Sequence, residues 1–133
     1  MAEKVAFELV SPDRLLMSVE ADAVAMPGME GDFGVLPGHA PLISALRAGI
    51  IAVEGGSEGP EQVYIAGGFA EVAADRLTVL AEEAVPVDDM DSTDIEQRIQ
   101  EANDELAGAE DGEQRRLAEG KAGVLQEMLV SAR

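Results

Sequence analysis

Apolar positions in the first two thirds of the chain recur at every second residue, in short β-branched runs separated by Gly, Pro and Asp, up to about Val85. That period predicts strands at Val5–Val10, Leu15–Val19, Ala21–Met26, Phe33–Leu36, Leu42–Leu46, Gly49–Val53, Gln62–Ala66, Phe69–Ala73 and Arg76–Ala81. Turn chemistry falls where strands should end: Ser11-Pro12-Asp13, Met26-Pro27-Gly28 and Leu36-Pro37-Gly38, with Gly55-Gly56-Ser57-Glu58-Gly59-Pro60 as a hairpin tip. Many short strands at this spacing imply a sandwich or barrel.

After Pro86 the pattern changes. An acidic linker, Val87-Asp88-Asp89-Met90-Asp91, leads into sequence with a period of 3.6. Thr93 with Glu96 fits a capping box, and Ile95, Ile99, Ala102 and Leu106 share one face of a helix expected from about Asp94 to Ala107. Gly108 ends it and Ala109-Glu110-Asp111-Gly112 turns the chain. Leu117, Lys121, Val124, Leu125 and Met128 then form the stripe of a second helix, giving an antiparallel hairpin. Gly120 and Gly123 each weaken that second helix by roughly 1 kcal/mol relative to Ala. The division expected is therefore 1–86 and 87–133.

Composition narrows the chemistry. The chain has 133 residues, 3% aromatic with no Trp, so its core must be built from Val, Leu, Ile, Ala and Met. The absence of Cys removes disulfides, thiolate metal sites and cysteine nucleophiles, and suits a reducing cytoplasm. A formal net charge of -18 repels phosphate backbones and anionic headgroups, which argues against nucleic acid as a partner. No apolar run approaches the roughly 20 residues needed to span a bilayer, so a membrane would be reached only through a protein complex. The N-terminus has neither the charge pattern nor the apolar run of a secretory signal, nor the Arg-rich character of a transit peptide. From Glu82 onward the chain is more acidic per residue than before it, which reads first as solvated helix faces and second as an electrostatic role.

Catalytic groups are sparse. His39, in Pro37-Gly38-His39-Ala40-Pro41, is the single His of the chain, so a dyad or triad is hard to assemble, and one His is a poor metal site. Glu30 and Asp32 flank Gly31 and resemble a paired-carboxylate site, but with no nearby His, Asn or third carboxylate to make a calcium cage the more economical reading is an exposed acidic turn that meets a basic or polar partner. The Gly55–Gly59 run lacks the Lys-Ser/Thr and the helix of a phosphate loop, which favours a plain hairpin. Gly67-Gly68 suits a tight bend between strands. No cofactor and no catalytic residue are expected.

The segment Gly31-Asp32-Phe33-Gly34-Val35-Leu36-Pro37-Gly38-His39-Ala40-Pro41-Leu42 resembles the epsilon subunit family of bacterial F-type ATP synthases. Tyr64-Ile65-Ala66-Gly67-Gly68-Phe69-Ala70-Glu71-Val72, running into Leu77-Thr78-Val79-Leu80-Ala81, matches at the family's spacing, as does the opening Phe7-Glu8-Leu9-Val10-Ser11-Pro12. The resemblance implies a ten-strand β-sandwich followed by a two-helix hairpin. It also implies a non-catalytic central-stalk subunit that binds gamma, rests on the c-subunit ring, turns with the rotor, and reaches alpha and beta through its C-terminal helices. The location implied is the cytoplasmic face of the bacterial inner membrane, with the membrane met only through the proton-translocating complex. By position, Glu30, Gly31, Asp32 and Phe33 resemble the loop facing the c ring, and His39 is expected at the same end of the sandwich.

Family members that bind ATP in the hairpin carry an Ile/Leu-Asp-x-x-Arg-Ala motif. The matching positions here are Met90, Asp91 and Asp94, with a carboxylate where the family has the arginine. A carboxylate there repels phosphate, so ATP binding is expected to be weak or absent, and inhibition of hydrolysis by the hairpin reduced or lost. Two other classes remain beside the rotor reading. A nucleotide-sensing module would bind ATP in a calorimetric titration. A free-standing sandwich enzyme or carbohydrate binder would need exposed aromatics or a catalytic dyad, against one Tyr, three Phe and one His.

Overall fold

A computed structural model describes residues 4–56 and 62–132, so Ser57–Pro60 of the expected hairpin tip lie outside the described residues. The chain forms two compact units, Met1–Val87 and Asp88–Arg133.

Strict alternation builds the first unit. In β1 (Val5–Val10), Val5, Phe7 and Leu9 are buried and the residues between them half-exposed, the period of a strand with one face on a core. The other strands are β2 (Leu15–Ala21), β3 (Ala23–Gly28), β4 (Gly31–Val35), β5 (Leu42–Leu46), β6 (Gly49–Glu54), β7 (Gln62–Ile65), β8 (Gly68–Val72), β9 (Arg76–Ala81) and β10 (Ala84–Pro86). One hydrogen-bonded path runs β10-β7-β6-β3-β5-β8-β9-β1-β2, with β4 on β3. The β1–β9 pair is parallel and the remaining pairs are antiparallel.

The path folds over at β3. Residues 23–25 of this strand pair with β6, whereas Gly28 pairs with Leu46 of β5. Pro27, which has no N–H to give to a ladder, sits at that change of neighbour. Between the two layers so formed lies a single apolar cluster that includes Phe7, Leu9, Met26, Ile51, Ile65, Leu77 and Val79. β10 extends the nine strands read from alternation: Ala84, Val85 and Pro86 pair with Ile65, Tyr64 and Val63 at the sheet edge, a position that tolerates proline. Three residues are too few to show a period of two.

A 3-10 turn, Val87–Asp89, spans the boundary between the units, and the second unit consists of α1 (Ser92–Ala107) and α2 (Gly112–Ala132), which pack against each other. The expected Thr93 cap is corrected to Asp91, whose Oδ1 accepts the Asp94 N–H at 2.8 Å. With Asp91 as cap the helix begins two residues earlier, and the Ile95 N–H bonds the Asp91 carbonyl at 3.0 Å. Asp111 caps α2 in the same manner, accepting the Gln114 N–H at 2.8 Å, while Gln114 Oε1 accepts the Glu110 N–H at 2.9 Å. The α2 stripe is also shifted from expectation. Leu117 is 39% exposed, and the buried residues are Ala118, Ala122, Leu125 and Met128. Short side chains on α2 allow close helix approach. Lys121 reaches across to Glu105 at 3.2 Å.

Candidate interaction site

The β3–β4 hairpin turns through Met29 and Glu30, both exposed, with Gly28 opposite Gly31 and Pro27 opposite Asp32. Close packing makes Gly28 necessary, since a Cβ there would lie 2.5 Å from the Gly31 carbonyl and 2.9 Å from the Phe33 ring. Phe33 is half-buried and packs on the core cluster, so it supports the turn from beneath. The tip is tied to the end of β5. The Met29 N–H bonds the Ala45 carbonyl at 2.9 Å, and the Arg47 N–H bonds the Pro27 carbonyl at 3.0 Å. The Arg47 guanidinium donates from Nη1 to the Gly28 carbonyl at 2.8 Å and from Nη2 to Asp32 Oδ1 at 2.6 Å.

His39 is not at this end. β4 leaves the tip at Gly31 and β5 returns to it at Leu46, so the loop joining them, which carries His39, lies at the far end of both strands. The Gly38 N–H bonds the Ala74 carbonyl at 2.7 Å, in the turn between β8 and β9, and the His39 N–H closes a turn onto the Leu36 carbonyl at 3.1 Å. Nδ1 of His39 lies 2.6 Å from the Ala40 carbonyl, which can only accept, so Nδ1 donates there. The length of β4 places His39 on the order of 13 Å or more from the tip. The expectation that His39 joins Glu30 and Asp32 is therefore corrected. Nine residues of sequence separation are spent on a strand that runs away from the tip.

A second feature of the tip end was not anticipated. Residues paired across strands point to the same side of a sheet, and Ala45, Phe69, Leu80, Val10 and Leu15 form one in-register row across β5, β8, β9, β1 and β2. All lie on the face turned away from the core. Phe69 is 59% exposed, Leu80 56% and Leu15 53%, and Ile43, next along β5 on the same face, is 75% exposed. Five strands at the usual spacing make the row roughly 19 Å long. The row alongside it carries Glu71, Thr78, Glu8 and Ser18. Beyond Val10 the chain turns through Ser11–Arg14, closed by the Ser11 N–H on the Arg14 carbonyl at 2.9 Å. Thus the β3–β4 tip, the β1–β2 turn and the apolar row gather at one end. Their signal in the sequence is a lapse in alternation: Leu9-Val10, Leu15-Leu16, Phe69-Ala70 and Val79-Leu80-Ala81 each place an apolar residue out of phase.

The positions that match the family's nucleotide motif fall at the start of α1. Met90 is buried, Asp91 is the cap, and Asp94 stands in the first turn. Among the described residues no helix is long and apolar enough to cross a membrane.

Residues 4–87 match the family described as ATP synthase, Delta/Epsilon chain, beta-sandwich domain. The chain is 46% identical over 128 residues to the ATP synthase epsilon chain of Parvibaculum lavamentivorans, covering 96% of this chain and 97% of that one. It is 44% identical over 134 residues to the ATP synthase epsilon chain of Rhodospirillum rubrum, covering 100% and 98%. Among solved structures, a chain of the Euglena gracilis mitochondrial ATP synthase assembly of OSCP, F1 and c-ring superimposes with a TM-score of 0.73 at 25% identity, over 98% of this chain and 82% of that one. With its sandwich matched throughout and its relatives aligned from end to end, the chain belongs to the ATP synthase delta/epsilon family.

Proposed function

We propose that this chain is a non-catalytic central-stalk subunit of a proton-translocating F-type ATP synthase, turning with the rotor and coupling gamma and the c ring to the catalytic head. The observation that carries the reading is the exposed apolar row through Phe69, Leu80, Val10 and Leu15, on a chain that is otherwise strongly acidic. Apolar area of this extent on one sheet face marks a protein contact. It is assigned to gamma, and the Glu30–Asp32 tip, at the same end, to the polar loops of the c ring. Apolar burial supplies affinity, while the acidic tip meeting basic loops sets orientation more than strength.

The hairpin is assigned no nucleotide. A helix N-terminus favours phosphate, but here the Asp91 carboxylate already takes the Asp94 N–H, and the Asp94 side chain adds a second negative charge. With Gly120 and Gly123 in its interior and few basic residues, α2 offers alpha and beta little to hold, and inhibition of hydrolysis is accordingly reduced. The chain is placed on the cytoplasmic face of the bacterial inner membrane, held there by the complex.

Affinity isolation of the tagged chain from gently solubilised membranes tests this. Recovery of alpha, beta, gamma and c subunits with one copy of the chain per complex is expected, and loss of gamma and c from a Phe69→Asp, Leu80→Asp double variant that remains folded. Recovery of the folded wild-type chain alone would overturn the reading.

A further inference from the structure

We infer that Arg47 is the positioning residue of the β3–β4 tip and that Asp32 is its internal counter-ion, leaving Glu30 as the carboxylate that docks. This rests on the reading of the tip as the surface facing the c ring. The two acids are not equivalent. Asp32 Oδ1 accepts from Arg47 Nη2 at 2.6 Å, whereas Glu30 makes no hydrogen bond or ion pair with any described residue. The same guanidinium holds the Gly28 carbonyl at 2.8 Å, and the Arg47 backbone N–H holds that of Pro27 at 3.0 Å. One residue therefore ties the last two residues of β3 and the start of β4 to the end of β5, on either side of the turn that Met29 itself anchors to the Ala45 carbonyl.

A planar guanidinium suits this task because its donors diverge at fixed angles, and an ammonium cannot hold a carbonyl and a carboxylate with the same geometry. The position is consistent with a partly shielded clamp, since the Arg47 side chain is 36% exposed against 74% for Asp32. Charge follows from the pairing. Arg47 cancels Asp32, so the tip presents one uncompensated negative charge, that of Glu30. A partner loop carrying cations meets Glu30 directly, and would have to break the Arg47 pair to use Asp32.

The test uses the full chain and its Glu30→Gln, Asp32→Asn, Arg47→Met and Arg47→Lys variants, added back to ATP synthase depleted of the chain. Docking is titrated at several salt concentrations, and amide exchange of the Met29 and Arg47 N–H groups is followed in the free chain. Glu30→Gln should weaken docking about two- to five-fold at low salt, flatten its salt dependence and leave exchange unchanged. Asp32→Asn and Arg47→Met should speed exchange at both amides. The salt dependence of docking should be shallower in Asp32→Asn, where Arg47 is left to offset Glu30, and steeper in Arg47→Met, where Asp32 loses its counter-ion. Arg47→Lys should be intermediate in exchange with the salt dependence kept. Asp32→Asn flattening the salt dependence as Glu30→Gln does, with exchange unchanged, would overturn the clamp and leave the tip as a docking surface. Faster exchange in Asp32→Asn and Arg47→Met with docking unchanged in all four variants would support the clamp and overturn the assignment of the tip and of Glu30 to the c ring.

Discussion

Truncating Phe69 to Ala should separate binding from folding more cleanly than any other change in the sandwich. The ring points away from the core and is 59% exposed, so the folded chain loses little by its removal. A fully covered Phe buries on the order of 200 Å². The exposed share is then roughly 120 Å² that a partner can cover, about 2 to 3 kcal/mol at ~25 cal/mol per Å². That corresponds to affinity for gamma weakened roughly 30- to 150-fold. Leu80, 56% exposed and opposite Phe69 in register, should cost about 1 to 1.6 kcal/mol, or roughly 5- to 15-fold. The two residues touch the same patch, so the double variant should lose less than the sum. Titration calorimetry against gamma, with thermal denaturation of each free variant as control, reads both quantities. Stability should stay within about 0.5 kcal/mol of the parent, as for surface substitutions. Parent-like affinity in Phe69→Ala with unchanged stability would refute the assignment of the row, and a larger loss from Glu71→Ala would move the interface to the neighbouring row.

Gly68→Ala should destabilise the sandwich by about 3 kcal/mol or more, read as a fall in the urea midpoint, because φ is +155° and a Cβ would lie 2.1 Å from the Leu80 carbonyl. Gly120→Ala and Gly123→Ala meet open space and should each stabilise α2 by about 1 kcal/mol, seen as slower amide exchange along the helix. A calorimetric ATP titration of the isolated chain should show no binding at millimolar nucleotide, and saturable heat would refute the argument from Asp91 and Asp94. Deleting Asp88–Arg133 should leave ATP hydrolysis by the assembled enzyme without a strong rise, whereas strong activation would show that the hairpin inhibits.

Alternation made the strands legible because each has one face on a common core, so the period of two is imposed by burial itself. The tip was legible for a related reason: Met26-Pro27-Gly28 and Glu30-Gly31-Asp32 carry their turn chemistry in adjacent residues. What failed depended on distance in space. His39 and Glu30 are near in sequence, but β4 carries the chain away, and only strand pairing fixes which loops share an end. The clamp was hidden likewise, since Arg47 lies 15 residues from Asp32 and meets it only because β5 pairs with β3 at Gly28. In the hairpin the errors were of phase. Thr93 and Asp91 both offer a cap, and the one that gives the longer helix won. Leu117 outweighs Ala118 on any hydrophobic scale, yet a close helix pair selects the smaller side chain.

The failures in alternation and the exposed row are one observation. Val10, Phe69 and Leu80 each interrupt a strand that otherwise alternates, and parallel pairing of β1 with β9 brings Val10 beside Leu80 rather than scattering them. An apolar residue out of phase on one strand is ordinary surface, but three neighbouring strands out of phase at the same level make a continuous patch. Antiparallel β1–β9 pairing would carry Val10 to the opposite end of β9 and divide the patch. The right functional test of topology is therefore a binding measurement: exchanging the two residues along β1, by Val10→Glu with Glu8→Val, preserves composition on that face while breaking the row. It should weaken gamma binding without unfolding the chain, and undiminished binding would mean that apolar content, not its alignment across strands, is what the partner reads.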